Sequence, residues 1–204
     1  MKSRALRYVL ALCASFTALP ALSATLLVLG DSISAAYGIA VEDGWVSLLR
    51  ERLQARHPAR YEVVNASISG ETTAGGLRRL PALLEEYNPD TVIVGLGGND
   101  GLRGLPLQQM EDNLSRIVAL SRAQGAEVVL LGIELPPSYG AAFNRRFQQV
   151  YRKVGDANDV PLVPLGFSLL KDRNMLQEDG IHPTEKAQPI ILDQVWPLLE
   201  KDAD

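Results

Sequence analysis

Ser32, His182 and Asp179 are the side chains of this sequence whose types and surroundings suit acyl transfer. Ser32 closes a Gly30-Asp31-Ser32 turn directly after the apolar run 25–29, so its hydroxyl would project at the end of a strand. A serine hydroxyl is a poor nucleophile until a base takes its proton, and imidazole does this near neutral pH. The chain has two histidines. His57 precedes Pro58 at the end of a charged stretch, where a solvated cation at a helix terminus accounts for it. His182 sits between Gly180-Ile181 and Pro183, with Asp179 three residues earlier. That spacing lets the carboxylate turn back onto the ring, fix its tautomer and stabilise the imidazolium formed during reaction. Each piece alone has a plainer explanation: Gly-Asp-Ser as a capped turn, Asp179 as an Asx-turn acceptor. The usual Gly-x-Ser-x-Gly elbow is absent.

Two further segments could stabilise an oxyanion. In Asn65-Ala66-Ser67-Ile68-Ser69-Gly70 a glycine follows an apolar run, where a backbone N–H can approach a ligand unobstructed by a side chain. In Gly97-Gly98-Asn99-Asp100 the doubled glycine permits close approach, and the Asn99 amide can donate to a developing negative charge. Ordinary turns explain either segment equally well when it is taken by itself.

The elements that must carry these segments are legible as an alternation. Short continuous apolar runs at 25–29, 61–64, 91–95, 127–132 and, more weakly, 161–165 read as strands buried on both faces. Helical patterns lie between them at 45–56, 77–87, 107–124 and 143–157, and a last helix is expected to start at Pro183, since proline suits a first helical turn. Alternation of this kind predicts an α/β fold: a three-layer α/β/α sandwich around a five-stranded parallel sheet in flavodoxin-like order. Ligands then bind beyond the carboxyl ends of the strands where strand order reverses, commonly between the first and third. Ser32 and Asn99 follow those two strands.

Lys2, Arg4 and Arg7, the apolar stretch 8–19 and the small residues around Ser23 read as a secretory signal over residues 1–23, leaving residues 24–204 as one domain. The apolar stretch is too short for a span of roughly 20 residues, so stable membrane insertion is not expected. The single cysteine, Cys13, falls inside the signal, which excludes disulfides and thiolate catalysis for the exported chain. A net charge of −4 gives no basic footprint for nucleic acid. No heptad or long exposed apolar strand argues for assembly, so a monomer is expected.

The four segments together resemble the SGNH, or GDSL, hydrolase superfamily, named for its Ser, Gly, Asn and His blocks. The longer stretches 29–32, 64–70 and 96–104 resemble its bacterial multifunctional thioesterase, protease, lysophospholipase and arylesterase members. The resemblance implies Ser32 as nucleophile, His182 as base and then acid, and Asp179 as its orienter. It implies an oxyanion hole from the N–H groups of Ser32 and Gly70 and the Asn99 side chain. It also implies hydrolysis of small-molecule acyl esters, thioesters or lysophospholipids in the periplasm or the medium, without metal or organic cofactor. A loop over the acyl groove would correspond to 101–106 and a groove-lining segment to 135–140. On the residues alone, Leu102 and Leu105 could cover an acyl chain or belong to a plain connector, and Leu135 and Tyr139 could line a pocket or pack under the next helix. Between Ser32 and Asn65 the chain is slightly longer than the pattern it resembles, around residues 41–58, which bears only on a peripheral wall.

Other readings remain open on sequence. Related hydrolases use the same residues as carbohydrate O-deacetylases. A flavodoxin-like fold can also be a non-catalytic flavin carrier or phosphoacceptor. A metallohydrolase using Asp31, Asp100, Asp179 and His182 has one histidine and scattered carboxylates, a weak ligand set.

Overall fold

The computed structural model of the chain describes residues 23–166 and 173–200. The expected secretory signal, apart from Ser23, lies outside them. Five strands, β1 (Ala24–Gly30), β2 (Tyr61–Asn65), β3 (Thr91–Gly95), β4 (Glu127–Ile133) and β5 (Leu162–Leu165), form one sheet in the order β2-β1-β3-β4-β5, every pair parallel. Six α-helices are described: α1 (Trp45–Arg56), α2 (Thr73–Tyr87), α3 (Gly98–Leu102), α4 (Leu107–Ala123), α5 (Ala141–Asn158) and α6 (Gln188–Glu200).

The continuous apolar strands are explained by two cores, one on each face of the sheet. Side chains alternate across a strand, so in β1 Leu27 and Leu29 join Val92, Val94, Val128 and Leu130 under α2, α4 and α5. Leu26 and Val28, with Ile93, Val129 and Leu131, face α1 and α6 through Trp45, Leu49, Leu53, Ile191, Val195 and Trp196. Each fully buried Leu or Val contributes about 1.5–3 kcal/mol relative to exposure. β5 is an edge strand. The carbonyls of Pro161 and Leu165 accept from Leu130 N and Glu134 N of the β4 side, so the intervening Pro164, exposed and paired with Gly132, turns its nitrogen outward.

Apart from shifts of one or two residues at element ends, the structure departs from the sequence reading in three places, each for a local reason. α2 starts at Thr73 rather than 77, because Thr72 Oγ1 accepts from Gly75 N at 3.2 Å as an N-cap. Its Gly76 packs against Leu96 so tightly that a Cβ would lie 2.3 Å from Leu96 Cδ1, which is why glycine sits inside that helix. The segment after β3 folds into the short helix α3 instead of an open turn. The last helix begins at Gln188 rather than Pro183, because Pro183 pairs with Leu176 in an isolated antiparallel bridge and Thr184 N donates to Met175 O at 2.9 Å.

Strand order reverses between β1 and β3, whose terminal residues Gly30 and Gly95 are register partners. The chain leaving each therefore opens into the same crevice.

Candidate active site

Ser32 opens a tight turn after β1. Asp31 O accepts from Ala35 N at 2.9 Å, and Asp31 Oδ1 accepts from Ile33 N at 3.1 Å, so the aspartate shapes the turn from within. Gly30 is required by space: a Cβ there would lie 2.7 Å from Ser34 Cβ and 2.8 Å from Ser67 Oγ. The loop after β2 is fastened to this turn, with Ile68 N donating to Gly30 O at 3.1 Å and Asn65 Nδ2 to Ser34 O at 2.8 Å. That loop ends in Gly70, whose φ of +79° places it in the left-handed region.

Asn99 stands in the first turn of α3. Gly97 precedes it at φ +111°, and a Cβ at Gly97 would meet Tyr151 Oη at 2.4 Å, so both backbone conformation and space demand glycine. Asn99 Nδ2 faces Asp31 Oδ2 at 3.4 Å, a long contact. Asp100 accepts from Thr73 N at 2.9 Å and from Thr73 Oγ1 at 2.6 Å, and Asn113 Nδ2 donates to the same hydroxyl at 3.0 Å. Arg103 Nη2 donates to Gly70 O at 2.8 Å. α3 is thus pinned to the start of α2 and to Gly70, which fixes the Asn99 side chain relative to that loop.

The other half of the site comes from the loop before α6. His182 Nε2 lies 2.9 Å from Ser32 Oγ, across 150 residues of sequence, and His182 Nδ1 lies 2.5 Å from Asp179 Oδ2. A carboxylate only accepts, so Nδ1 carries the proton and Nε2 is left to accept from the Ser32 hydroxyl. Asp179 also fulfils its turn reading: Oδ1 accepts from Ile181 N at 2.8 Å and His182 N at 3.0 Å, so one oxygen builds the turn while the other orients the ring. The Tyr37 ring leans on the imidazole, centroids 4.5 Å apart. His57 instead caps α1 and meets Tyr61 edge-on.

The three aspartates of the site live in different environments. Asp31 is almost fully buried, and desolvation lifts its pKa to about 6 against the opposing hydrogen bonds from Ile33 and Asn99 and the attraction of His182. Partial desolvation pushes Asp179 the same way, but hydrogen bonds from the His182 ring, His182 N and Ile181 N prevail and hold it below the usual carboxylate value. Asp100 gives both oxygens to Thr73, so Asp31, Asp100, Asp179 and His182 do not assemble as a ligand set. Among the described residues no group of three or more His, Cys, Asp and Glu is placed to hold a metal.

A pocket opens beside Ser32 and Asn99, its empty space about 700 Å³ with part open to solvent. Leu102, Ile133, Leu135, Leu165, Ile190 and Ile191 wall it, an apolar lining suited to an acyl chain. Of the four substrate-contact candidates, Leu102 and Leu135 line this pocket. Leu105 and Tyr139 lie outside its lining: Leu105 N donates to Asp100 O, and Tyr139 Oη donates to Leu102 O at 3.1 Å, tying the two flanking segments together. Sequence reasoning missed Tyr37, Gln177 and the link between Asp100 and Thr73. Only the last carried a signal, the Thr72-Thr73 pair, which is a helix-start signature.

Comparison with known proteins identifies the family of this fold. Residues 28–189 match the GDSL-like lipase/acylhydrolase family. The chain is 51% identical over 177 residues to Esterase TesA of Pseudomonas aeruginosa, covering 86% of this chain and 88% of that protein. It is 45% identical over 185 residues to the thioesterase 1/protease 1/lysophospholipase L1 of Escherichia coli K12, covering 88% and 86% respectively. A crystal structure of TesA superposes with a TM-score of 0.82 at 50% identity, covering 87% of this chain and 98% of that one. This chain belongs to the GDSL-like lipase/acylhydrolase family.

Proposed function

We propose that this family member is an exported, monomeric serine esterase that cleaves acyl esters and thioesters through an acyl-enzyme, its substrates including fatty acyl thioesters, lysophospholipids and aryl esters. The observation that carries the reading is the chain of contacts Ser32 Oγ to His182 Nε2 and His182 Nδ1 to Asp179 Oδ2, at the mouth of an apolar pocket. Ser32 Oγ attacks the carbonyl carbon while its proton passes to His182 Nε2. The tetrahedral oxyanion meets donors from Ser32 N, Gly70 N and Asn99 Nδ2, and each such donor is typically worth ~10²–10³ in turnover. Collapse of the intermediate breaks the bond to the leaving alkoxide or thiolate, which takes the proton from His182. Water then gives a proton to His182 and attacks the acyl carbonyl; collapse releases the acid and returns the proton to Ser32 Oγ.

The relatives' printed names, esterase and thioesterase 1/protease 1/lysophospholipase L1, support this range of substrates. The apolar walls favour longer acyl groups over acetyl, which sets this reading apart from O-deacetylation. Export to the periplasm rests on the charged and apolar pattern of residues 1–23. Hydrolysis of p-nitrophenyl esters of graded chain length by wild type and Ser32→Ala tests the reading. Octanoyl should exceed acetyl in kcat/KM, and the variant should lose roughly 10⁴-fold or more in kcat. Undiminished turnover by Ser32→Ala would remove the proposal.

A further inference from the structure

His182 belongs to no helix or strand. It is carried on a short loop closed by the bridge between Leu176 and Pro183, in which Gln177 N donates to His182 O at 2.8 Å and Gly180 N to Gln177 O at 2.9 Å. Besides the bond from Ser32 to His182 and the Tyr37 ring, the contact among the described residues that crosses from this loop to the Ser32 turn is the Gln177 side chain. Its Nε2 donates to Tyr37 O at 2.7 Å and to Pro183 O at 3.1 Å. One amide group therefore holds the residue after His182 and, at the same time, the end of the turn that begins at Ser32. The seat is shaped for it: a Cβ at Gly38 would lie 2.3 Å from Gln177 Oε1. Because Tyr37 also carries the ring that leans on the imidazole, fixing its backbone fixes that contact too.

We propose that Gln177 is a positioning residue that keeps His182 over the reaction centre when Ser32 can no longer do so. The inference rests on the serine-esterase reading above. In the free enzyme the bond between Ser32 Oγ and His182 Nε2 itself helps to set the distance between the two loops. Once Ser32 is acylated its Oγ has no proton to donate, and that tie is gone until water has attacked. Asp179 lies on the same loop as His182, so it orients the ring without fixing the loop against the Ser32 turn. During deacylation the polar tie that remains, among the described residues, from the His182 loop to that turn is Gln177.

The test separates the two half-reactions. Gln177→Met keeps volume and loses both donors. With a p-nitrophenyl ester in stopped flow, deacylation should slow by roughly 10–100-fold, the scale of about 1 Å of misplacement, while acylation slows several-fold less. Acyl-enzyme should therefore accumulate as a burst larger than that of wild type. Gln177→Glu, which also cannot donate to the two carbonyls when ionised, should show the same split and serves if the methionine variant folds poorly. A merely structural role would lower both rates together, in step with the fraction folded. Equal slowing of both steps, or rates within about twofold of wild type in a folded variant, would overturn the proposal. If Ser32→Ala is inactive and Gln177→Met is unaffected, the positioning role fails alone; if Ser32→Ala is active, the underlying esterase reading fails with it.

Discussion

The two halves of the site are built in different ways. The half contributed by the loops after β1, β2 and β3 is anchored in the interior: Asp31 and Asp100 are each 2% exposed, and their bonds reach into turn and helix backbones. The half contributed by the loop before α6 lies near solvent, the Asp179 side chain 40% exposed, and is joined to the first by a few polar contacts. In the first half the fold and the chemistry share residues, so damage to one damages the other. In the second half the chemistry is docked onto a finished fold, and the two should be separable by mutation.

The largest effect that would probe this difference is Asp179→Asn. The new amide can still accept from Ile181 N and His182 N through its oxygen, but its NH₂ group then faces Nδ1 and favours the tautomer with the proton on Nε2, facing Ser32. A loss of about 10³–10⁴ in kcat is expected, with the melting temperature nearly unmoved. A large drop in melting temperature would break the comparison. Asp100→Ala, in the other half, should lower stability and activity together. It removes the acceptor of a buried helix-terminal N–H and of a buried hydroxyl, and hydrogen bonds to a charged group are worth about 1.5–3 kcal/mol each. A loss near ~4 kcal/mol, or roughly 8–16 °C for a chain of this size, should appear in calorimetry, together with a lower kcat of the folded fraction, because α3, which carries Asn99, loses its tie to α2.

Asp31→Asn sharpens the contrast through pH. With a folded pKa of about 6 against an unfolded value of 3.8, the native state binds a proton that the unfolded state has already lost. Stability from this group is thus complete below pH 3.8 and lost as pH rises to about 6; by linkage the change is on the order of 3 kcal/mol. Asp179, with its lowered value, has the opposite slope and loses its contribution as pH falls. Urea unfolding at pH 4 and pH 8 should show the asparagine variant gaining, relative to wild type, up to about 3 kcal/mol at the higher pH. An equal difference at both pH values would place the Asp31 ionisation outside folding.

Much of this molecule was readable from local patterns. Continuous apolar runs located five strands, and scarcity of histidine singled out His182. What sequence could not display are bonds between segments that no spacing relates: Thr73 to Asp100, Gln177 to Tyr37, Tyr139 to Leu102. Asp179 shows a different obscurity, since turn-building and ring-orienting readings competed on paper and each takes one oxygen in the structure. Pro183 misled because its fixed φ suits a helix start as well as a short bridge, and the pairing with Leu176 decided between them.

Pro164, on the outer edge of β5, bears on how copies of this protein meet one another. An added strand needs a regular row of amide donors along the rim, and this rim has a gap at its centre. A second molecule sliding alongside would find its ladder interrupted after one residue. Crowding on this flank should therefore give brief collisions instead of growing fibres.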